Sequence, residues 1–256
     1  MKCIAVILSG GTGSRMNMDV PKQYIEVGDR MIITESIRPF MECELVSGIH
    51  IVADGMWHDK IIEEYSVLSK LYTGDLSLGG SDYGMCRDTY AEAYKFHGFS
   101  LPGSNRQLSV LNALRDIADD HVKDDDLVII HDAARPMVSE KLIRRCIIAV
   151  DGHDGIMPVL PMKDTLYYSD GGSCISHLLN RDKIFAGQAP EVFRFGKYFE
   201  ACKSLMPNKI MEIRGSTEPA MMAGLDVVMI PGDERNLKIT TREDLERYRE
   251  IIEKAI

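Results

Sequence analysis

Residues 3–16 read CIAVILSGGTGSRM, and PKQY follows at 21–24. The apolar run from Cys3 to Leu8 is the length of a fully buried strand, and the turn after it is built of glycines and hydroxyls. Working outward, further β-prone runs occur at Ile4 to Leu8, Ile49 to Ala53, Leu127 to His131, Gly155 to Val159 and Val227 to Ile230. Between most of them lie helical stretches: Ile32 to Met41, Lys60 to Leu71, Ser109 to Asp119, Glu140 to Val150, Phe195 to Met206 and Arg242 to Lys254. Strands alternating with helices predict an α/β, doubly wound, mostly parallel, Rossmann-like sheet in one domain over 1–256.

Two stretches interrupt the alternation. Residues 72–102 are too long for an ordinary connection and read as an insertion with some structure. Residues 164–179, DTLYYSDGGSCISHLL, place two β-prone runs around Asp170-Gly171-Gly172, which predicts a protruding β-hairpin arm. An isolated hairpin is marginal in water, so a second subunit is expected to support it.

In such a sheet a glycine-rich turn after the first strand lies at the carboxyl ends of the strands, where ligands bind. Its glycines let backbone N–H groups close on phosphate oxygens. Two familiar phosphate loops do not match: Lys22 follows Pro21 rather than a glycine, and Met16 stands where the dinucleotide pattern needs its third glycine. Arg15 and Lys22 flank the turn and suit phosphoryl or nucleotidyl transfer, in which charge gathers on the attacked phosphorus and the departing pyrophosphate.

Composition limits the partners. With 256 residues, 45% of them hydrophobic, and a net charge of −9, the chain supports a large core but offers no basic stripe for nucleic acid. The apolar start is too short for a signal segment or a membrane span, which makes the cytoplasm the expected compartment. Cysteines at 3, 43, 86, 146, 174 and 202 form no C-x-x-C pair, so neither a disulfide frame nor a structural metal is expected.

LSGGTGSRM with PKQYIEVGDRMII resembles the nucleotide-binding signature of nucleotidyltransferases that join a phosphorylated sugar or polyol to a nucleoside monophosphate. HDAARP (131–136), DT (164, 165), NR (180, 181), GQAPEVF (187–193) and GDERNLKIT (232–240) then follow in the order of the cytidylyltransferases acting on 2-C-methyl-D-erythritol 4-phosphate and ribitol 5-phosphate. The resemblance covers nearly the whole chain outside 72–102. It implies a nucleotidyltransferase fold, CTP and a polyol phosphate as substrates, Mg2+ as cofactor, and a homodimer in which the arm crosses to the partner.

By the same resemblance Arg15 and Lys22 match the pair at the α-phosphate of CTP, and Arg181 and Lys238 the pair that positions the attacking phosphate. Leu8, Ser9, Gly10, Gly11, Thr12, Gly13, Gly103, Arg106, Ser109 and Ala133 match the nucleotide-binding positions. Asp132, Arg135, Thr165, Arg181 and Lys238 match the alditol-phosphate side. Ser109 reads equally as a helix cap, and Ala133 and Ala134 as packing or as room for a ribose. Asp132 is a candidate for the magnesium shell and Asp233 a weaker one; magnesium bridging nucleotide phosphates needs only one or two carboxylates. His131 reads as structural, because a phosphate nucleophile is already ionised.

Ala189 and Glu191 depart from the family's GQTPQ, removing a hydroxyl and adding a negative charge, and the register of Ser216-Thr217-Glu218 against its TDE element is open. DGMWHDKIIEEY and NRDKIFAGQAP look closer to the ribitol 5-phosphate group, HDAARP to the methylerythritol group. The expectation is CDP-ribitol formation, with the methylerythritol reaction and a non-catalytic CTP-binding relative as alternatives.

Overall fold

The computed structural model describes residues 1–11, 18–73, 94–119 and 122–254. Its centre is a sheet containing β1 (Cys3–Leu8), β4 (Gly48–Val52), β5 (Phe96–Ser100), β6 (Leu127–Asp132), β7 (Gly155–Pro161), β10 (Phe185–Gly187), β11 (Glu191–Arg194) and β12 (Val227–Pro231). The short strands β2 (Glu26–Val27) and β3 (Arg30–Met31) pair apart from it, as do β8 (Leu166–Tyr168) and β9 (His177–Leu179). Strand order is β10-β7-β11-β6-β1-β4-β5, with β12 added to β7. The run β6-β1-β4-β5 is parallel, β12 is parallel to β7, and β10 and β11 run antiparallel to their neighbours.

Because successive strand side chains face opposite ways, β1 feeds two cores. Cys3, Ala5 and Ile7 pack with α1 (Ile32–Glu42), α2 (His58–Thr73) and α4 (Glu140–Ala149); Ile4 and Val6 pack with α3 (Arg106–Ala118), α5 (Phe195–Ser204) and α6 (Thr217–Met222). That division makes the sheet doubly wound. A third cluster joins Ile25, Val27 and Ile239 to Leu245 and Tyr248 of α7 (Arg242–Glu253), whose first turn is closed by a reciprocal Thr241–Asp244 cap.

The 72–102 stretch is not an insertion throughout. Its last part is β5, a strand of the main sheet paired with β4, and the segment 74–93 lies outside the described residues. Lys95 turns the chain into β5 with a positive φ of 58°, and its ammonium donates to the carbonyls of Met41 and Cys43 at 2.8 and 2.7 Å. The hairpin arm is present as β8 and β9, with Gly171 at φ 95° in the loop between them. Cys3, Cys43, Cys146 and Cys202 are buried and Cys174 is exposed on that loop; none of these is in a disulfide.

Candidate active site

The carboxyl ends of β6, β1, β4 and β5 open on one cleft of about 730 Å³. Its floor is the turn after β1. Gly10 is required there by close approach: a Cβ on it would lie 2.3 Å from Cβ of Pro102. Ser9 Oγ donates to the Val52 carbonyl at 2.6 Å, while the Ser9 carbonyl accepts from Gln23 Nε2 at 2.6 Å and Tyr24 Oη at 2.9 Å. Gln23 Nε2 also reaches the Gly11 carbonyl at 2.7 Å. Trp57 stacks on Tyr24 with ring centroids 4.1 Å apart and lines the cleft. Gln23, Tyr24 and Trp57 therefore hold the glycine turn from outside, a role that the sequence reading did not assign; the Gln and Tyr of PKQY were its only signal. Leu8, Ser9, Gly10, Gly11 and Lys22 line the cleft, with Lys22 Nζ donating to the Ile239 carbonyl at 2.6 Å. Thr12, Gly13 and Arg15 lie outside the described residues.

The opposite wall follows β5. A Cβ on Gly103 would strike Cβ of Leu108 at 2.3 Å, so the chain turns into α3 only with glycine there. Helix α3 starts at Arg106, three residues before the predicted Ser109, and its cap is Asn105, whose side chain accepts from Leu108 N at 2.7 Å. Ser109 Oγ instead accepts from Gly103 N at 3.0 Å and donates to the Asn105 carbonyl at 2.9 Å, fixing the loop that faces the cleft. Of the two alanines after β6, Ala134 lines the cleft; Ala133 is fully buried, and its backbone bonds to Leu8 and Ser36.

Beside the glycine turn, at the end of β6, the charges converge on Asp132. Oδ1 accepts from Arg106 Nη2 and Nε at 3.0 and 3.2 Å, and Oδ2 from Lys238 Nζ at 2.7 Å, with Arg135 Nε 3.7 Å away. Burial works against the charge of Asp132, yet Arg106 and then Lys238 hold its carboxyl well below the usual range. Burial likewise opposes the Arg106 guanidinium, which Asp132 and then Glu191 hold above its ordinary range. Arg135 is lowered, chiefly by burial; its Nη1 donates to the Asn236 carbonyl at 2.8 Å, and its buried Nε makes no hydrogen bond among the described residues. Both oxygens of Asp132 are thus taken by cations, and no carboxylate-rich metal cluster occurs among the described residues. A magnesium ion held by Asp132 does not fit this donor set. Asp233, the other carboxylate considered, is turned to Arg235 at 2.8 and 3.1 Å.

The loops carrying these groups are stitched together by amides. Gln188 exchanges two 3.0 Å hydrogen bonds with the backbone of Asp233, and Asn236 Nδ2 donates to the Ala189 carbonyl at 2.6 Å. This fixes GQAPE against GDERNLKIT and so places Lys238 beside Asp132. Glu191 does not reach the surface of the cleft: it is buried on β11 and accepts from Thr217 Oγ1 at 3.3 Å. Ser216 takes a hydrogen bond from Arg106 Nη1, and Glu218 accepts from the Arg214 backbone at 2.8 Å. His131 is completely buried against Phe40, and burial lowers it to about 3, so it is neutral and structural.

Two of the residues assigned to the alditol side are elsewhere. Thr165 is exposed at the base of the arm, and Arg181 is exposed on the 3-10 turn Arg181–Lys183 after it, with Nη1 donating to the Lys163 carbonyl at 2.8 Å. Neither lines the cleft of its own chain.

Residues 100–254 match the family model of 2-C-methyl-D-erythritol 4-phosphate cytidylyltransferase. An enzyme of that name from Rubrobacter xylanophilus is 31% identical, the alignment covering 94% of this chain and 91% of the relative. A ribitol-5-phosphate cytidylyltransferase from Streptococcus pneumoniae is 29% identical over 98% of both chains. Bifunctional IspD/IspF relatives are longer, and the chain spans about half of them, 56% of the one from Paramagnetospirillum magneticum. In fold, the chain is similar to the 4-diphosphocytidyl-2C-methyl-D-erythritol synthase structure from Anaerococcus prevotii, with a TM-score of 0.74 at 21% identity, covering 98% and 96% of the two chains.

Proposed function

Since the chain belongs to the 2-C-methyl-D-erythritol 4-phosphate cytidylyltransferase family, nucleotidyltransferases acting on polyol phosphates, we propose that it transfers CMP from CTP to ribitol 5-phosphate, giving CDP-ribitol and pyrophosphate. The observation that carries this reading is one cleft lined both by the glycine turn with Lys22 and by Arg106, Asp132 and Lys238, with Arg135 buried beside Asp132. Two phosphate-bearing anions repel each other, and the cations lining the cleft offset that repulsion.

CTP lies with its triphosphate on the Ser9–Gly11 turn and Lys22, and with cytosine against the Gly103–Ser109 loop, where backbone groups read a pyrimidine edge. An oxygen of the acceptor phosphate attacks the α-phosphorus in line; the new P–O bond forms as the bond to the β-phosphate breaks and pyrophosphate leaves. Lys22, with Arg15, stabilises the charge gathering on the α-phosphate and leaving group. Lys238 holds the acceptor, and Asp132, with Arg135 buried beside it, orients Lys238. Magnesium enters as the CTP complex and belongs to the substrate.

Arg181 and Thr165 serve the cleft of a second copy. The arm on which they are carried exposes Tyr167, Tyr168 and Leu178, which a partner subunit would cover. The family-model match favours the alternative reading, in which 2-C-methyl-D-erythritol 4-phosphate is the acceptor instead. Purified protein given Mg-CTP and each alditol phosphate in turn separates the readings by pyrophosphate release. Ribitol 5-phosphate should give the larger kcat/KM; faster turnover of the methylerythritol substrate transfers the assignment, and CTP binding without release from either denies catalysis.

A further inference from the structure

Glu191 stands directly behind the charged end of the cleft. Its strand pairs with β6 so that Glu191 is opposite Ile130, two residues before Asp132, and its side chain is only 6% exposed. Thr217, in the first turn of α6, donates its hydroxyl to the carboxyl at 3.3 Å, and Ser216 precedes it at the cap. The ionisable groups facing it are Arg106 from α3, Asp132 from β6, Arg135 after it, and Tyr198 from α5, whose hydroxyl donates to the Ser216 carbonyl at 2.8 Å. Ser216 also accepts from Arg106, so the carboxyl and the guanidinium share one small buried polar unit.

Charge decides what that unit does. Arg106, Arg135 and Lys238 outnumber Asp132, and an ionised Glu191 cancels one of the two positive charges left over. Burial is the main force pushing the Glu191 carboxyl up, to about 7, with Asp132 adding to it and Arg106 opposing. Both protonation states are therefore populated at neutral pH. A phosphate anion arriving at this end of the cleft adds negative charge in the same poorly solvated region, which favours the neutral carboxyl.

We propose that Glu191 is a positioning residue that tunes the charge of the Arg106–Asp132–Lys238 cluster and takes up a proton when a phosphate anion binds there. No bond to substrate is involved; the proton comes from solvent and returns to it on release. The identity of the physiological anion as the acceptor phosphate rests on the function proposed above.

Calorimetric titration of the full chain with inorganic phosphate, in two buffers of different ionisation heat, counts protons without requiring turnover. At pH 7 the wild type should take up about half a proton more than Glu191→Gln, which carries none at this position. In parallel, KM for ribitol 5-phosphate should climb several-fold more between about pH 6.5 and 8.5 in the wild type than in the variant, with the kcat profiles parallel. Thr217→Val removes a hydroxyl that stabilises the carboxylate and should move the wild-type midpoint to higher pH, a shift that loss of packing alone would not produce. Coincident proton counts for wild type and Glu191→Gln, or an unmoved midpoint in Thr217→Val, overturn the proposal. Absence of pyrophosphate release with every alditol phosphate overturns the functional reading instead and leaves the phosphate calorimetry to decide this one.

Discussion

Asp132 is where the cleft's electrostatics are concentrated, and it is buried. Replacing it with Asn would leave Arg106, Lys238 and Arg135 facing one another without a counter-charge. Removing one partner of a buried charge network costs about 3 kcal/mol or more, so Asp132→Asn should lower the melting temperature by roughly 6–12 °C and abolish pyrophosphate release. A variant that melts with the wild type would show that the cations are held by other means. The aspartate itself was legible in HDAARP. Arg106 and Lys238 were named by the resemblance too, but their convergence on Asp132 was not readable, because they lie 26 and 106 residues away in sequence and the sheet brings them together.

His131 and Glu191 give a second residue-scale expectation. Burial lowers His131 to about 3 from 6.5, so below pH 6.5 the unfolded chain gains a proton that the folded one refuses, and stability falls as pH falls. Glu191 is raised to about 7 from 4.5, so over that interval the folded chain keeps a proton that the unfolded one loses, and stability falls as pH rises. Between pH 4.5 and 6.5 the two slopes oppose each other. Glu191→Gln removes one of them, and urea unfolding of that variant should show stability rising with pH by up to about 1.4 kcal/mol per unit relative to wild type. Parallel curves would mean that Glu191 titrates normally in the folded chain.

At the scale of elements, the glycine-turn side of the cleft depends on two contacts between loops. The turn after β1 touches the Pro102 loop through Gly10, and Trp57 after β4 buttresses Tyr24 and through it the Ser9 carbonyl. Gly10→Ala must force the loops apart, so a stability loss of about 1–3 kcal/mol with a roughly tenfold higher KM for CTP is expected. Unchanged KM would remove the turn from the nucleotide site. Trp57 is the sequence's single tryptophan and lines the cleft. Its emission should therefore change saturably with CTP, and Trp57→Ala should raise KM for CTP more than it lowers kcat.

The first strand and its turn were readable because a buried parallel strand is a continuous apolar run. β5 was hidden because FHGFS is half-buried, carries Gly98 at φ 150°, and meets β4 with a shift in register. β11 was hidden because four residues after a proline show no period, and its antiparallel direction is a property of the assembled sheet. The start of α3 was misplaced for a local reason: serine and asparagine cap equally well, and the hydrogen bonds decide between Asn105 and Ser109.

For the molecule as a whole the arm gathers several exposed apolar side chains. Tyr167, Ile175 and Leu178 are 57%, 64% and 61% exposed, on a hairpin whose paired strands are only three residues each. Under the proposed dimer these side chains are covered by the partner and Arg181 reaches its cleft. Tyr167→Ser with Leu178→Ser should then convert the dimer to monomer in sedimentation velocity and reduce turnover together with it. A wild type that sediments as a monomer while fully active would confine catalysis to one chain.

The cysteines turn that arm into a place for a probe. Burial raises the thiols of Cys3, Cys43, Cys146 and Cys202, the last two to about 12, which leaves them inert to maleimides in the native fold. In a Cys86→Ser background, Cys174 would then be the one reactive thiol of the folded chain, at the far tip of the hairpin. A spin label or dye placed there turns the distance between two copies into a ruler, able to follow arm exchange in real time with the catalytic groups left untouched.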